Sequence, residues 1–187
     1  LSIRRQRQMC IRDSIMEAMN AECCQNFAGP KHTLVDFHRM MTRLVEMEDS
    51  QYSYRNVLAA YTSGGILAGI CVAYDGGKLH QLRGRFYEAA LEAFGIDYTG
   101  MTDETEDGEF YIDSLAVSSN FRGKGIASQL LQATIERGAE LGIPTVGLLV
   151  DKGNPKAEAL YQRLGFVYVN DSTWGGHPMR HLQYKHD

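Results

Sequence analysis

The sequence predicts an α/β fold built as one domain, on three observations. Short β-prone runs at 110–117, 145–150 and 166–169 alternate with longer segments of helical period. A glycine-rich turn and an Asn-Pro turn join strand to helix at two of these junctions. The 187 residues, 44% of them hydrophobic, suit a single domain with a sizeable core.

The elements follow in chain order. Residues 1–14 (LSIRRQRQMCIRDS) are basic, show no clear period and lack the apolar core of a signal peptide. They are set apart as an atypical, non-native or disordered segment, and 15–187 is taken as the domain. From Ile15 the pattern turns helical through Met16 and Met19, and a second helix fits 34–47, with Leu34, Phe37, Met41, Leu44 and Val45 on one face. Tyr52 and Tyr54 read as core aromatics at a strand end, or as hydroxyls on a pocket wall. Strands at 56–62 and 66–74 join through Ser63-Gly64-Gly65 as a hairpin. A helix fills 79–94, where Arg83 and Arg85 belong to a solvated face or bind an acidic group. The acidic run 103–109 is a solvated loop that could also steer a cation.

On the central strand 110–117, the two-residue period puts Tyr111, Asp113, Leu115 and Val117 on one face. A carboxylate amid apolar neighbours needs a partner, because burying a lone charge is costly; Asp113 is structural or a general base. Phe121-Arg122-Gly123-Lys124-Gly125-Ile126-Ala127 then opens a long helix. The first amides of a helix lack intrahelical partners and point outward at the positive end of the dipole, which suits phosphate. Glycines at 123 and 125 let an anion approach the backbone closely. A Walker loop is absent, and Ser128 stands where a dinucleotide fingerprint needs its third glycine. After the strand at 145–150, Asn154 and Pro155 supply an N-cap and a first helical residue; the helix carries Leu160-Tyr161 and stops at Gly165. His177 and His181 lie four apart on the last strand and share a face, with no evident third ligand for a metal.

Composition narrows the classes. A net charge of −4 argues against nucleic acid as the main partner and weakly favours cationic substrates. Cys10, Cys23, Cys24 and Cys71 form no C-x-x-C pair and read as free thiols of a reducing, cytoplasmic compartment. No apolar run is long enough to span a membrane.

Two blocks together resemble one known family. Arg122, Gly125 and Ala127 fit R-x-x-G-x-A, and the strand, N-P-x-A, L-Y and G-F series follows at the right spacing. This is similar to the GNAT superfamily, the Gcn5-related N-acetyltransferases, specifically over 108–169. The resemblance implies a mixed, mostly antiparallel twisted sheet flanked by helices, whose central strands splay apart to bind acetyl-CoA. It implies that the backbone of Arg122, Gly123, Lys124, Gly125, Ile126 and Ala127 holds the pyrophosphate. The pantetheine arm would pair like an extra strand with Leu115, Ala116 and Val117 and bond to Asn154. Tyr161 falls where relatives place the acid for the departing thiolate, and Asp113 where many carry Glu or Asp; Asp113 is the first candidate base and His177 the second. The implied reaction is direct acetyl transfer to a primary amine, of a small molecule or a peptide, in a ternary complex without metal. A homodimer stays open, and the acceptor is not named. Members usually begin with a strand of I-R-x-A type, only faintly matched at Cys10-Ile11-Arg12, so the first strand is expected to be lost. The helix at 79–94 falls where many members have a short loop. Two other readings compete: a non-catalytic acyl-CoA-binding sensor module and a generic nucleotide-binding α/β domain.

Overall fold

The computed structural model describes residues 2–186, with side chains from Arg7 onward. Three helices come first: α1 (Ser2–Met19), α2 (Ala21–Ala28) and α3 (Leu34–Glu46). The hairpin β1 (Val57–Tyr61) and β2 (Leu67–Asp75) leads into α4 (Leu79–Phe94) and β3 (Glu109–Val117). Helix α5 (Ile126–Glu140), β4 (Thr145–Asp151), α6 (Pro155–Arg163), β5 (Val167–Trp174) and β6 (His177–Lys185) complete the chain. The sheet order is β1-β2-β3-β4-β6-β5. Only β3 and β4 pair in parallel; every other neighbouring pair is antiparallel. Among the described residues, no helix is long and apolar enough to cross a membrane.

Local chemistry accounts for most boundaries. Helix α3 starts on a capping box, in which the Thr33 hydroxyl accepts from Asp36 N–H and the Asp36 carboxylate accepts from Thr33 N–H. Its face of Phe37, Met41, Leu44 and Val45 is buried as the spacing predicts, whereas Leu34, in the first turn, is 38% exposed. Helix α6 begins at Pro155, with the Asn154 side chain accepting from Ala157 N–H.

The N-terminal boundary expected between residues 14 and 15 does not coincide with an element end. Helix α1 runs through it, with Ile11 and Ile15 buried beside Met19. These three stand four apart, a helical stripe that the surrounding basic residues obscure in the sequence.

Two cores lie on opposite faces of the sheet. On one, α1–α4 pack Ile15, Phe37, Leu44 and Phe86 against Ile70, Val72 and Ala116. On the other, α5 and α6 cover Cys71, Ile112, Leu131, Val146, Leu148 and Phe166. The single face expected for Tyr111, Asp113, Leu115 and Val117 is broken. Val72 opposes Ser114 and Ala73 opposes Ile112, so Asp113 is the extra residue of a β-bulge. The bulge shifts the alternation by one: Tyr111 packs with Tyr74 and Leu79, but Leu115 turns to the α5 side.

The parallel pairing of β3 and β4 begins at Glu109↔Thr145 and ends at Ile112↔Leu148, although both strands continue. Below that point, Glu109 anchors them. Burial pushes its carboxyl up, but bonds from His181, Thr105 and Gln183 outweigh this and hold it below its ordinary range. Thr105 Oγ1 donates at 2.6 Å, Gln183 Nε2 donates at 2.9 Å and His181 Nε2 lies 2.6 Å away. The carboxyl lies flat on Gly147, and a Cβ there would fall inside it. Gly147→Ala must therefore displace a buried, hydrogen-bonded carboxylate. We expect a loss of about 2–4 kcal/mol, seen in calorimetric melting as a Tm lower by roughly 5–15 °C; an unchanged Tm would mean that Glu109 is not seated there.

Candidate functional site

Where β3 and β4 part, a cavity of about 730 Å³ passes through the sheet. Met19, Cys23, Phe27 and Tyr52 line it from the α1–α4 side, and Asn154, Ala157 and Tyr161 from the α6 side. Asp113, Ser114 and Leu115 of β3 face Leu149, Val150 and Asp151 of β4 across it. Trp174, Gly175, His177 and Met179 close one end. Trp174 packs against Phe27 at 5.9 Å, and its buried indole N–H has no partner. A buried donor without a partner is uncommon and costly, so this one is free for a molecule in the cavity.

Of the residues given a part in the reaction or in holding acetyl-CoA, the cavity joins Asp113, Leu115, Asn154, Tyr161 and His177, and Tyr52 lies on its wall. The half-buried Asp113 accepts from Ser114 Oγ at 2.8 Å and Gln51 Nε2 at 3.2 Å, and lies 3.2 Å from the Tyr74 hydroxyl. Burial first, and then the nearby Glu104 charge, raise its carboxyl well above the ordinary range, against the pull of those hydrogen bonds. A carboxylate so held accepts a proton far more readily than a solvated one. Burial pushes the Tyr161 hydroxyl up to about 12, which keeps it protonated at neutral pH. Its ring stacks edge-on against Phe166. His177 is exposed, with Nδ1 3.8 Å from Asp151, whereas His181 turns to Glu109 outside the cavity lining.

The glycine turn lies just beyond the lining. Gly123 (φ 74°) and Gly125 (φ 77°) adopt left-handed backbone that favours glycine. Gly125 caps α5 with no side-chain hydrogen bond to the first amides, which leaves the N–H groups at Ile126 and Ala127 open to an anion. Arg122 is exposed; its Nε donates to Val117 O at 3.0 Å and its Nη2 to Glu17 at 2.9 Å. Lys124 sits over the Phe121 ring at 5.2 Å. Ala116 is buried and Val117 half-buried, and beyond Ile112 the β4 side of this strand has no ladder partner. The Asn154 oxygen already accepts one capping bond, and its amide N–H groups remain for a ligand.

Two expectations need correction. Arg83 is not on a solvated face: its side chain is 1% exposed and pairs with Glu104 at 3.0 Å and Asp103 at 3.3 Å. Arg85 is the surface arginine, paired with Asp49 and Glu88. The acidic run is accordingly not all solvated, for Glu104 and Glu109 are buried against partners and only Asp103, Glu106 and Asp107 are exposed. Gln51 joins no sequence pattern, and the sequence shows Glu104 and Cys23 only as part of the acidic run and as a free thiol, because their partners come from distant parts of the chain. Among the described residues, no group of three or more His, Cys, Asp or Glu side chains could hold a metal.

Comparison with known proteins agrees with the fold. The family model described as "Acetyltransferase (GNAT) family" matches residues 32–166. The chain belongs to that family. A mycothiol acetyltransferase of Propionibacterium freudenreichii subsp. shermanii is 36% identical over 78 residues, 41% of this chain and 24% of that protein. A spermine/spermidine N(1)-acetyltransferase of Bacillus subtilis is 27% identical over 96 residues, 50% of this chain and 63% of that one. The chain thus spans less than two thirds of either relative. A solved acetyltransferase structure superposes with a TM-score of 0.79 at 25% identity, covering 97% of this chain and 95% of that one. An N-acetyltransferase from Staphylococcus aureus Mu50 gives 0.77 at 19% identity, covering 96% of each.

Thiol chemistry tests the closure of the cavity. Burial leads in pushing the Cys23 thiol up to about 12, with the charges of Cys24, Asp113 and Glu22 adding to it. Burial likewise puts Cys24 at about 11 and Cys71 at about 12. At pH 8 such thiols are only ~10⁻³ to 10⁻⁴ thiolate. Iodoacetamide at that pH should first modify the exposed Cys10, with the other three following only on unfolding. Early modification of Cys23, read by mass spectrometry, would mean that the cavity wall at α2 is open.

Proposed function

We propose that this chain is an acetyl-CoA-dependent N-acetyltransferase whose cavity holds a primary amine. The observation that carries this is the parting of β3 from β4, which links an open helix N-terminus to a cavity holding Asp113 and Tyr161. Acetyl-CoA supplies the activated acyl group. The residues suit it: open amides at Ile126 and Ala127 beside the Arg122 and Lys124 charges for the pyrophosphate, a strand edge without a β4 ladder partner at Leu115, Ala116 and Val117 for the extended arm, and the Asn154 amide beside it.

A lysine-like amine with a pKa near ~10.4 is neutral only about once in 2,500 at pH 7, a cost of roughly 4.6 kcal/mol. Asp113 takes the ammonium proton and frees the nitrogen lone pair. Its raised proton affinity makes this transfer less uphill than to an ordinary carboxylate. Tyr161, held protonated, gives its proton to the departing sulfur. His177 stands at the cavity end as the second candidate for the base.

Titration calorimetry with acetyl-CoA, CoA, ATP and NAD, followed by thiol release over a panel of amines, tests the reading. Acetyl-CoA and CoA should bind, and Arg122→Glu should weaken them by at least about 10-fold. Binding without turnover on any amine would instead favour a sensor module. Asp113→Asn and Tyr161→Phe should each lower kcat by roughly 10²-fold. The sign with pH follows from the carboxyl: only the ionised form accepts a proton, so kcat/KM should rise with pH through the raised pKa of Asp113. Loss of that rise in Asp113→Asn supports the assignment, and its persistence would move the base to His177 or water.

A further inference from the structure

A chain of buried groups reaches Asp113 along the cavity wall, which Glu104 itself helps to line. Arg83 comes from α4 with its side chain 1% exposed, and holds Glu104, whose side chain is 4% exposed, at 3.0 Å. Arg83 Nη1 also donates to Thr102 O at 3.2 Å, which fixes the loop that carries Glu104. Glu104 Oε1 and Asp113 Oδ2 each lie 3.2 Å from the Tyr74 hydroxyl. One hydroxyl has one proton and cannot serve two carboxylates at once. Glu104 is the one of the two paired with a permanent cation, so when Asp113 carries a proton Tyr74 donates to Glu104 and turns its own lone pair toward Asp113.

That geometry suits an Asp113 carrying a proton, and it disfavours two ionised carboxylates sharing one phenol. The other titratable neighbours do not reverse it. Cys23 from α2, Tyr52 before β1, Cys71 from β2 and Tyr111 on β3 all hold their protons above neutral pH. Ser114 and Gln51 are neutral donors, and the Gln51 amide, whose oxygen is buried without a partner, can turn over to meet a protonated Asp113. Arg83 reaches Asp113 only through Glu104, and it shares its charge between Glu104 at 3.0 Å and Asp103 at 3.3 Å.

We propose that Glu104 is a positioning residue: anchored by Arg83 and relayed by Tyr74, its charge sets the proton affinity of Asp113. This rests on Asp113 as the acceptor of the amine proton. In the step it serves, the ammonium N–H bond breaks, the proton joins an Asp113 oxygen and the pair stays on nitrogen. Each unit by which the Asp113 pKa rises makes that transfer tenfold less uphill. An isolated ionised carboxylate would hold the ammonium as an ion pair; one supported by Glu104 accepts its proton at a smaller cost.

The test is a ¹³C NMR titration of the Asp113 carboxyl, assigned by its loss in Asp113→Asn, beside the pH profile of kcat/KM. In the wild type the carboxyl should titrate well above the ordinary range. Glu104→Gln should lower its pKa by one unit or more and move the ascending limb of kcat/KM to lower pH by the same amount. Glu104→Asp, which keeps the charge, should restore most of the elevation. An unshifted Asp113 in Glu104→Gln overturns the inference. So does an ordinary Asp113 pKa in the wild type, which needs no variant to fold. If the NMR pKa moves and the kinetic limb does not, the relay stands as electrostatics but the assignment of Asp113 as base falls.

Discussion

Everything functional in this structure depends on the end of one parallel ladder. Paired strands satisfy each other's N–H and C=O groups, and strands that separate must find other partners for them. Here β3 and β4 separate after Ile112 and Leu148 while each continues as a strand. The exposed edge is tolerated because the cavity brings solvent, or an extended ligand, to it. The split also explains how one cavity collects side chains from both faces of a sheet, Tyr52 and Cys23 from one and Tyr161 from the other. Below the split, Glu109 lies across Gly147 and is bonded to β6, so the strands stay closed where closure is needed.

The polar groups beside the cavity obey a stricter rule. A buried ion is tolerated when it is paired and its remaining capacity is filled. Glu109 meets that condition with its three donors, whereas Arg83 is paired with Glu104 but leaves its buried Nε and Nη2 without a hydrogen-bond partner. Asp113 meets it only partly, since its partners are neutral and its nearest charge is another carboxylate. In the role proposed for Asp113 that incompleteness matters, because full satisfaction of the anion would lower its affinity for a proton.

Much of this was legible in the sequence, and the exceptions share a cause. Gly123 and Gly125 announced a turn because left-handed backbone selects glycine, and Asn154-Pro155 announced α6 because capping is local chemistry. Helix α4 lies at 79–94 as its period indicates. The failures are non-local. Nothing near Arg83 in the sequence reveals that Glu104 will be folded over it. The bulge at Asp113 inserts one residue into the alternation, so the two-residue rule is right for Tyr111 and wrong for Leu115. In α1, basic residues obscured a stripe of Ile11, Ile15 and Met19 that only contact with α3 and the sheet makes meaningful.

The contact between Arg122 and Glu17 has a further consequence. It ties the turn that opens α5 to the first helix of the chain, which also supplies the Met19 wall of the cavity. An anion that claims the Arg122 guanidinium takes it from Glu17 in the same act. Thermodynamic reciprocity then applies: whatever the Arg122–Glu17 pair subtracts from the affinity for the anion, the bound anion subtracts from the docking of α1 in equal measure. Occupancy at the turn and the freedom of the helix beside the acceptor end are two readings of one coupling energy, so filling one end of the split is felt at the other.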